Sequence, residues 1–313
     1  MICAVALNPA VDKYIRVSRL AVGEHLQAEE VITSAGGKAV NVAGVVRALG
    51  EEVELLGFYG GFTGDYVLQQ EALEGVRCTP TRIRTLTRTA FVMVDGAGAE
   101  TELVEPGGRV EPDEIAALRA KLRAAAPRAD VVVLSGSVPP GCPDDIYLQL
   151  VEDCAGHPRV IVDTSRAWLR AVVTATGGPR PTLIKPNRRE AEAVLGRALP
   201  AQADIVAALR DFAAAGIALP LISDAAKGIY AFAAGEVWHA RPPALTRVNS
   251  VGSGDAAVAG FAAAWARGES LPDRLRLATA CGAANVLTKE CAQVLAPDVA
   301  RLLPEIRVQR LGV

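Results

Sequence analysis

Asp130-Val131-Val132-Val133-Leu134-Ser135, running into Gly136-Ser137-Val138-Pro139-Pro140-Gly141, decides the fold. Consecutive β-branched residues without polar alternation describe a strand buried on both faces, as in a parallel sheet. The glycine- and proline-rich loop ends it. Similar strand-like runs occur at Ile2–Leu7, Val53–Tyr59, Val160–Asp163, Thr182–Ile184 and Leu219–Ser223. Helical patterns lie between them. Lys38–Leu49 follows Gly36-Gly37 and stops at Gly50, and Gly64–Leu73 is helix-like. Pro112–Ala125 puts Ile115, Leu118 and Leu122 on one face, with Pro112 near the first helical position. Ile205, Leu209 and Phe212 line another helix, and the last third is alanine-rich and helical over Gly254–Trp265 and Leu271–Leu287. Strands alternating with amphipathic helices predict an α/β fold, a doubly wound, mainly parallel sheet flanked by helices on both faces.

Two stretches break this rhythm. Val11–Ser34 and Thr79–Glu105 read as strands without intervening helices, and Arg88–Val94 and Glu100–Glu105 flank a hairpin turn, Asp95-Gly96-Ala97-Gly98. They predict a small β-sheet lid, formed by about 11–34 and 79–105, on a single α/β domain covering 1–313. With 313 residues and a formal net charge of −2, the chain is not expected to take nucleic acid as its main partner, since phosphate backbones demand a basic face. No run is long and charge-free enough to span a bilayer, so no membrane partner is expected. The apolar N-terminus lacks a basic region and soon reaches Asn8-Pro9, so it reads as a strand and not a signal peptide. The six cysteines form no C-x-x-C pair and have no histidine cluster beside them, which argues against zinc. Scattered cysteines without a targeting signal are expected of a reducing cytoplasm. His25, His157 and His239 form no pattern and read as surface or loop residues.

Five motifs carry chemistry. Asn249-Ser250-Val251-Gly252-Ser253-Gly254-Asp255 enters the helix Ala256–Trp265. Glycines there let backbone N–H groups converge on an anion, and the helix dipole adds roughly half a positive charge. Asp255 reads either as a base that takes a hydroxyl proton or as a helix cap. Gly36-Gly37-Lys38-Ala39-Val40-Asn41 offers close backbone approach, a cation and an amide, or a tight turn with a solvated lysine. It is neither a P-loop nor a Rossmann fingerprint. The loop Ser135–Gly141 sits where open α/β sheets bind ligands, or is merely stiffened by proline. Lys185-Pro186-Asn187-Arg188-Arg189-Glu190 holds either a capping box or an oxygen pair near a hydrated Mg²⁺. Asp12, just past Asn8-Pro9, reads as an acceptor for sugar hydroxyls or as a surface carboxylate.

In their order, Asn8-Pro9-Ala10-Val11-Asp12, Gly36-Gly37-Lys38 with Asn41, Ser135–Gly141, Lys185-Pro186-Asn187 with Glu190, and Val251–Asp255, the chain resembles the PfkB (ribokinase-like) carbohydrate kinases. The likeness runs from about Asn8 to Asn285 and is closest to the branch of 1-phosphofructokinase and tagatose-6-phosphate kinase. It implies an ATP- and Mg²⁺-dependent kinase that phosphorylates a hydroxyl of a phosphorylated hexose, with fructose 1-phosphate the first candidate. It also implies an α/β core with a β lid and lids that pair in a homodimer. It places the catalytic aspartate at Asp255 and the anion hole at Gly252, Ser253 and Gly254. Sugar contacts fall on Asp12, Gly37 and Asn41, and the grip on the sugar's own phosphate on Lys38 and Arg88. On the nucleotide and metal side stand Lys185, Asn187, Glu190 (to Mg²⁺ through water), Ser223, Gly228 and Asn285.

The chain departs from the pattern in places. Gln27 stands where phosphosugar members carry an arginine, and Ala39 where they carry a glycine. Ala225 replaces the first glycine of the nucleotide loop, and Thr288-Lys289-Glu290-Cys291-Ala292 replaces glycines near the adenine and a monovalent-cation site. Gln27 suggests an alternative acceptor, an unphosphorylated sugar or nucleoside. Ala225 and the 288–292 stretch suggest a second alternative, a non-catalytic sugar-binding protein on a degenerate kinase fold.

Overall fold

The computed structural model describes every residue except Ala155, Glu290 and Val313. In chain order, β1 (Ile2–Ala6) leads to β2 (Ala10–Arg16), β3 (Glu30–Gly36), α1 (Lys38–Ala48), β4 (Val53–Tyr59), α2 (Gly61–Leu73) and β5 (Arg77–Arg82). Then come β6 (Arg88–Val94), β7 (Glu100–Val104), α3 (Pro112–Ala125), β8 (Val131–Ser135), α4 (Ile146–Asp153), β9 (Val160–Asp163) and α5 (Arg166–Thr174). After these follow β10 (Leu183–Ile184), α6 (Arg188–Leu195), α7 (Gln202–Ala214), β11 (Leu219–Ser223), β12 (Ile229–Ala233) and β13 (Glu236–Arg241). The chain finishes with α8 (Ser253–Ala266), α9 (Leu271–Asn285), α10 (Ala296–Leu302) and β14 (Arg307–Leu311).

β1 is buried along its whole length and lies inside the large sheet, in parallel register with β4 and β8, so that Ala4 faces Leu55 and Val133. Its side chains alternate between two cores. Ile2, Ala4 and Ala6 pack with α1, α2, α8, α9 and α10, whereas Cys3 and Val5 pack with α3 to α7. That division is why β8 begins with three valines and a leucine in a row: both of its faces are covered. Each such buried valine or leucine contributes about 1.5–3 kcal/mol. An aspartate at Val133 would instead bury an unpaired charge. The parallel run β5-β4-β1-β8-β9-β10-β11 continues antiparallel through β12, β13 and β14.

A second sheet has the order β3-β2-β6-β7. Residues 79–87 do not belong to it, contrary to the reading of 79–105 as one stretch. β5 pairs in parallel with β4 at the edge of the large sheet, and α2 is the helix between them. A strand's polarity pattern does not say which sheet it joins; here the strand–helix–strand unit does. Residues 17–29 lie in the link between β2 and β3 and form no strand. His239 is also not a surface residue. It is buried on β13, its ring stacked on Tyr230 at 4.0 Å and its Nε2 2.7 Å from the Lys227 carbonyl. Among the described residues no helix is long and apolar enough to cross a membrane.

Parallel strands all finish on the same edge, so Ser135 of β8, Asp163 of β9, Lys185 just past β10 and Ser223 of β11 come together there. In an open α/β sheet this is the edge where ligands bind.

Candidate active site

Two glycine-led helices meet at that edge. Gly252 is the N-cap of α8 and holds φ at 84°, where a Cβ would lie 2.3 Å from the Ala292 backbone nitrogen. No side chain caps the helix, so its positive end stays available to an anion. Asp255 therefore is not the cap. It stands at the third helical position, 5% exposed, and its carboxylate faces α1. Asn41 Nδ2 donates to Asp255 Oδ2 at 2.7 Å, and Lys38 Nζ lies 3.4 Å from Oδ1. Burial pushes the Asp255 pKa above the usual carboxylate value, while Lys38 and the Asn41 hydrogen bond pull it back. Asn285, expected beside an adenine, is fully buried under this turn, where its amide donates to the Val251 carbonyl and to Ser253 Oγ at 2.9 Å each.

Lys38 does not stand alone. Its Nζ is also 3.3 Å from Asp163 Oδ2, and Asp163 Oδ1 is 3.4 Å from Lys185 Nζ. Asp163 is 1% exposed at the end of β9. Burial pushes its pKa up, but the two ammonium groups outweigh that and leave it below the ordinary value. The same pairing with Asp163 raises the Lys38 pKa well above its usual value. Asp163 is a site residue that motif reading missed. Its place at the carboxyl end of a central parallel strand was the available signal. Cys291 was missed as well: its Sγ accepts from Asn41 Nδ2 at 3.6 Å.

The second sheet contributes Asp12 and Arg88. Asp12 fills the space left by Gly36, where a Cβ would come within 2.0 Å of its carboxylate. Burial raises its pKa to about 6, against the pull of Arg88 and helped by the charge of Asp255. The half-buried carboxylate is therefore not a plain surface group. Gly37, the N-cap of α1 at φ 96°, passes close to Pro9 and Asn8. Arg88 donates to the Glu105 carbonyl at 3.2 Å, and its buried Nε has no hydrogen-bond partner among the described residues. Gln27 is exposed in the loop between β2 and β3.

On the other side, Asn187 and Glu190 form a reciprocal capping box at the start of α6, with bonds of 2.9 and 2.8 Å. The box uses one lone pair of Glu190 Oε2. A carboxylate offers about four such sites, so Glu190 keeps acceptor capacity. Among the described residues no group of three or more His, Cys, Asp or Glu could hold a metal by itself. A donor set of one spare carboxylate suits a cation that keeps most of its waters, as Mg²⁺ does. Ser223 ends β11 and bridges to Asn187, and Gly228 closes the turn that follows. Of the 288–292 stretch, Glu290 lies outside the described residues, and Ala292 packs on Gly252.

A buried carboxylate at an uncapped helix start with two lysines beside it is an arrangement suited to phosphoryl transfer to an alcohol. Comparison with known proteins agrees. Residues 5–298 match the pfkB family carbohydrate kinases. The chain is 32% identical to a 1-phosphofructokinase of Bacillus subtilis over 99% of this chain and 100% of that one. It is 39% identical to a 1-phosphofructokinase of Xanthomonas campestris over 83% and 82%. In structure it superposes on phosphofructokinase-2 from Escherichia coli in complex with potassium with a TM-score of 0.90 at 24% identity, over 97% and 98% of the two chains. The chain belongs to the pfkB family of carbohydrate kinases.

Proposed function

We propose that this chain is an ATP-dependent kinase for a phosphorylated hexose, with fructose 1-phosphate the first candidate acceptor. The observation that carries the reading is Asp255, ionisable, buried and held by Asn41 and Lys38 at the open start of α8. The acceptor hydroxyl oxygen attacks the γ-phosphorus of ATP and its proton passes to Asp255. The bond from that phosphorus to the bridging oxygen breaks, and the electron pair leaves with ADP. Backbone N–H groups of Val251–Asp255 meet the charge of the transferring group. Positioning of the hydroxyl supplies much of the rate, since little covalent work is left to the protein.

Asp12, Gly37 and Asn41 are assigned to the sugar hydroxyls and Arg88 to the phosphate already on the sugar. Lys185, Asn187, Ser223 and Gly228 are assigned to the nucleotide side. Glu190 would hold Mg²⁺ through water, and the ion would supply charge neutralisation on the ATP phosphates. The second sheet is assigned as a lid that excludes water. Its exposed Val31, Leu103 and Val104 favour burial against the lid of a second copy, in a homodimer. Six unpaired cysteines suit a reducing cytoplasm.

The test is ATP consumption with a matched pair, fructose and fructose 1-phosphate. The expected result is a kcat/KM at least on the order of 10²-fold higher for the phosphosugar, from one charge-assisted grip in a desolvated site. Equal values for the pair would defeat the phosphosugar reading. Absence of turnover on every hexose and hexose phosphate would defeat the kinase reading.

A further inference from the structure

The family resemblance gives Lys38 to the phosphate that the sugar already carries. Its surroundings assign it elsewhere. Lys38 Nζ lies 3.4 Å from the carboxylate that takes the hydroxyl proton and 3.3 Å from Asp163, which in turn holds Lys185. The acceptor hydroxyl must come within hydrogen-bond reach of Asp255 to lose its proton. In a hexose phosphorylated at one end and accepting at the other, the phosphate is then several carbon–carbon bonds away from the place where Lys38 is anchored.

The anchoring is firm. Asp163 is 1% and Asp255 5% exposed. Swinging Lys38 out to a distant phosphate would take the nearest cation from buried Asp255, while Asp163 would keep Lys185. A second, independent observation points the same way. Lys38 is the first residue of α1, no acidic residue stands in the first turn, and the N-cap Gly37 brings no side chain. A cation at the positive end of a helix opposes the dipole. Such a local conflict persists where function requires it.

We propose that Lys38 is a catalytic residue for the transferring phosphoryl group and not a clamp for the phosphate on the sugar. This rests on the kinase reading above. The γ-phosphoryl group arrives with negative charge at a place already lined by Asp255 and Asp163. The Lys38 ammonium, between those carboxylates, turns to the equatorial phosphoryl oxygens as the bond to the bridging oxygen breaks and the bond to the acceptor oxygen forms. The proton still goes to Asp255 and the electron pair still leaves with ADP. Lys38 also stops Asp255 and Asp163 from repelling the incoming group. Arg88, on the second sheet, is left as the grip on the sugar's own phosphate.

The two roles separate cleanly in kinetics. Lys38→Met keeps the length of the stem and removes the charge. It is expected to lower kcat by on the order of 10²–10³-fold, as loss of a transition-state donor does. KM for the sugar phosphate and the preference for phosphosugar over sugar are expected to stay unchanged. ATP hydrolysis without any sugar should fall in parallel, because it uses the same phosphoryl charge. Arg88→Ala should show the reverse split: a raised KM for the sugar phosphate and a lost preference for phosphosugar over sugar. If Lys38→Met raises KM, abolishes the preference and spares sugar-free hydrolysis, the proposal is overturned. Should Lys38→Met fail to fold by circular dichroism, Lys38→Arg decides by the same three readouts, since it keeps the charge and displaces it. A wild-type enzyme inactive on every phosphosugar would defeat the parent reading, and sugar-free ATP hydrolysis would still judge Lys38.

Discussion

Helices α1 and α8 begin alike and are charged oppositely. Each has a glycine N-cap at positive φ, 96° at Gly37 and 84° at Gly252, and neither receives a side-chain cap. On α8 the charged residue of the first turn is Asp255, an anion near a positive helix end. On α1 it is Lys38, a cation in the same kind of place. The first arrangement favours the fold as well as the chemistry. The second opposes the local fold, and is held by two buried carboxylates from other elements. The comparison teaches that the α8 motif could arise for stability alone, whereas the α1 motif makes sense only with its neighbours across the cleft.

The largest effect should come from the anion of α8. Asp255→Asn preserves shape and keeps an oxygen for one of the two α1 donors, so circular dichroism should remain that of the wild type. Phosphoryl transfer should fall about 10²–10⁴-fold, the usual contribution of a positioned base. Near wild-type turnover in a folded Asp255→Asn protein would remove the base from the mechanism and reduce α8 to an ordinary helix start.

The glycine caps offer the next contrast. Alanine at either would be forced into a strained backbone conformation costing about 1–3 kcal/mol. At Gly252 the new Cβ also collides with Ala292 backbone at 2.3 Å, whereas at Gly37 its nearest neighbour is Pro9 Cα at 3.0 Å. Denaturant unfolding should therefore rank Gly252→Ala as the less stable of the two. The opposite ranking would mean that the α1 cap, not the α8 cap, is the tighter joint.

Much of this was legible in the sequence, and for physical reasons. β4, β9 and α3 run over the residues that their apolar patterns and the proline at the start of α3 indicate. Those signals are local, and burial on both faces leaves no polar residue to confuse them. β12 to β14 were not read at all, because short antiparallel strands at a sheet edge alternate weakly and carry few valines in a row. The fate of β5 depended on a partner 23 residues away in register, Glu54 with Arg77, which no local pattern reports. In the site, glycines and motif residues were visible one by one. What stayed hidden was Asp163, whose role comes from lysines 125 residues before it and 22 after it in the chain.

A smaller effect tests Asp12 of the second sheet. The Asp12 pKa is raised by burial from 3.8 to about 6. The folded state thus prefers the protonated form, and its contribution to stability is lost as pH rises from about 3.8 through 6. Sugar binding needs the opposite form, an ionised acceptor for hydroxyl hydrogen bonds. KM for the sugar phosphate should therefore climb as pH falls through about 6, with that step absent in Asp12→Asn. A step that survives the substitution belongs to another group.

The smallest effect comes from a third turn, beyond β11, where alanine takes a positive φ, as glycine does at the starts of α1 and α8. Ala225 sits at φ 46° and is exposed, so its methyl group gains no packing in return for the strain. Left-handed backbone costs a side-chain-bearing residue roughly 1–2 kcal/mol. Glycine would remove that cost but lose about 0.4–1 kcal/mol through a freer unfolded chain. The net expectation for Ala225→Gly is a gain of up to about 1.6 kcal/mol, seen as a small rise in the thermal midpoint. The sign is what matters: glycine to alanine should lose stability at Gly252, and alanine to glycine should gain it at Ala225. A fall in midpoint would show that the unfolded chain outweighs the strain here. In that case the alanine turn is a stable substitute for glycine, and the contrast with α8 rests on the collision at Ala292 alone.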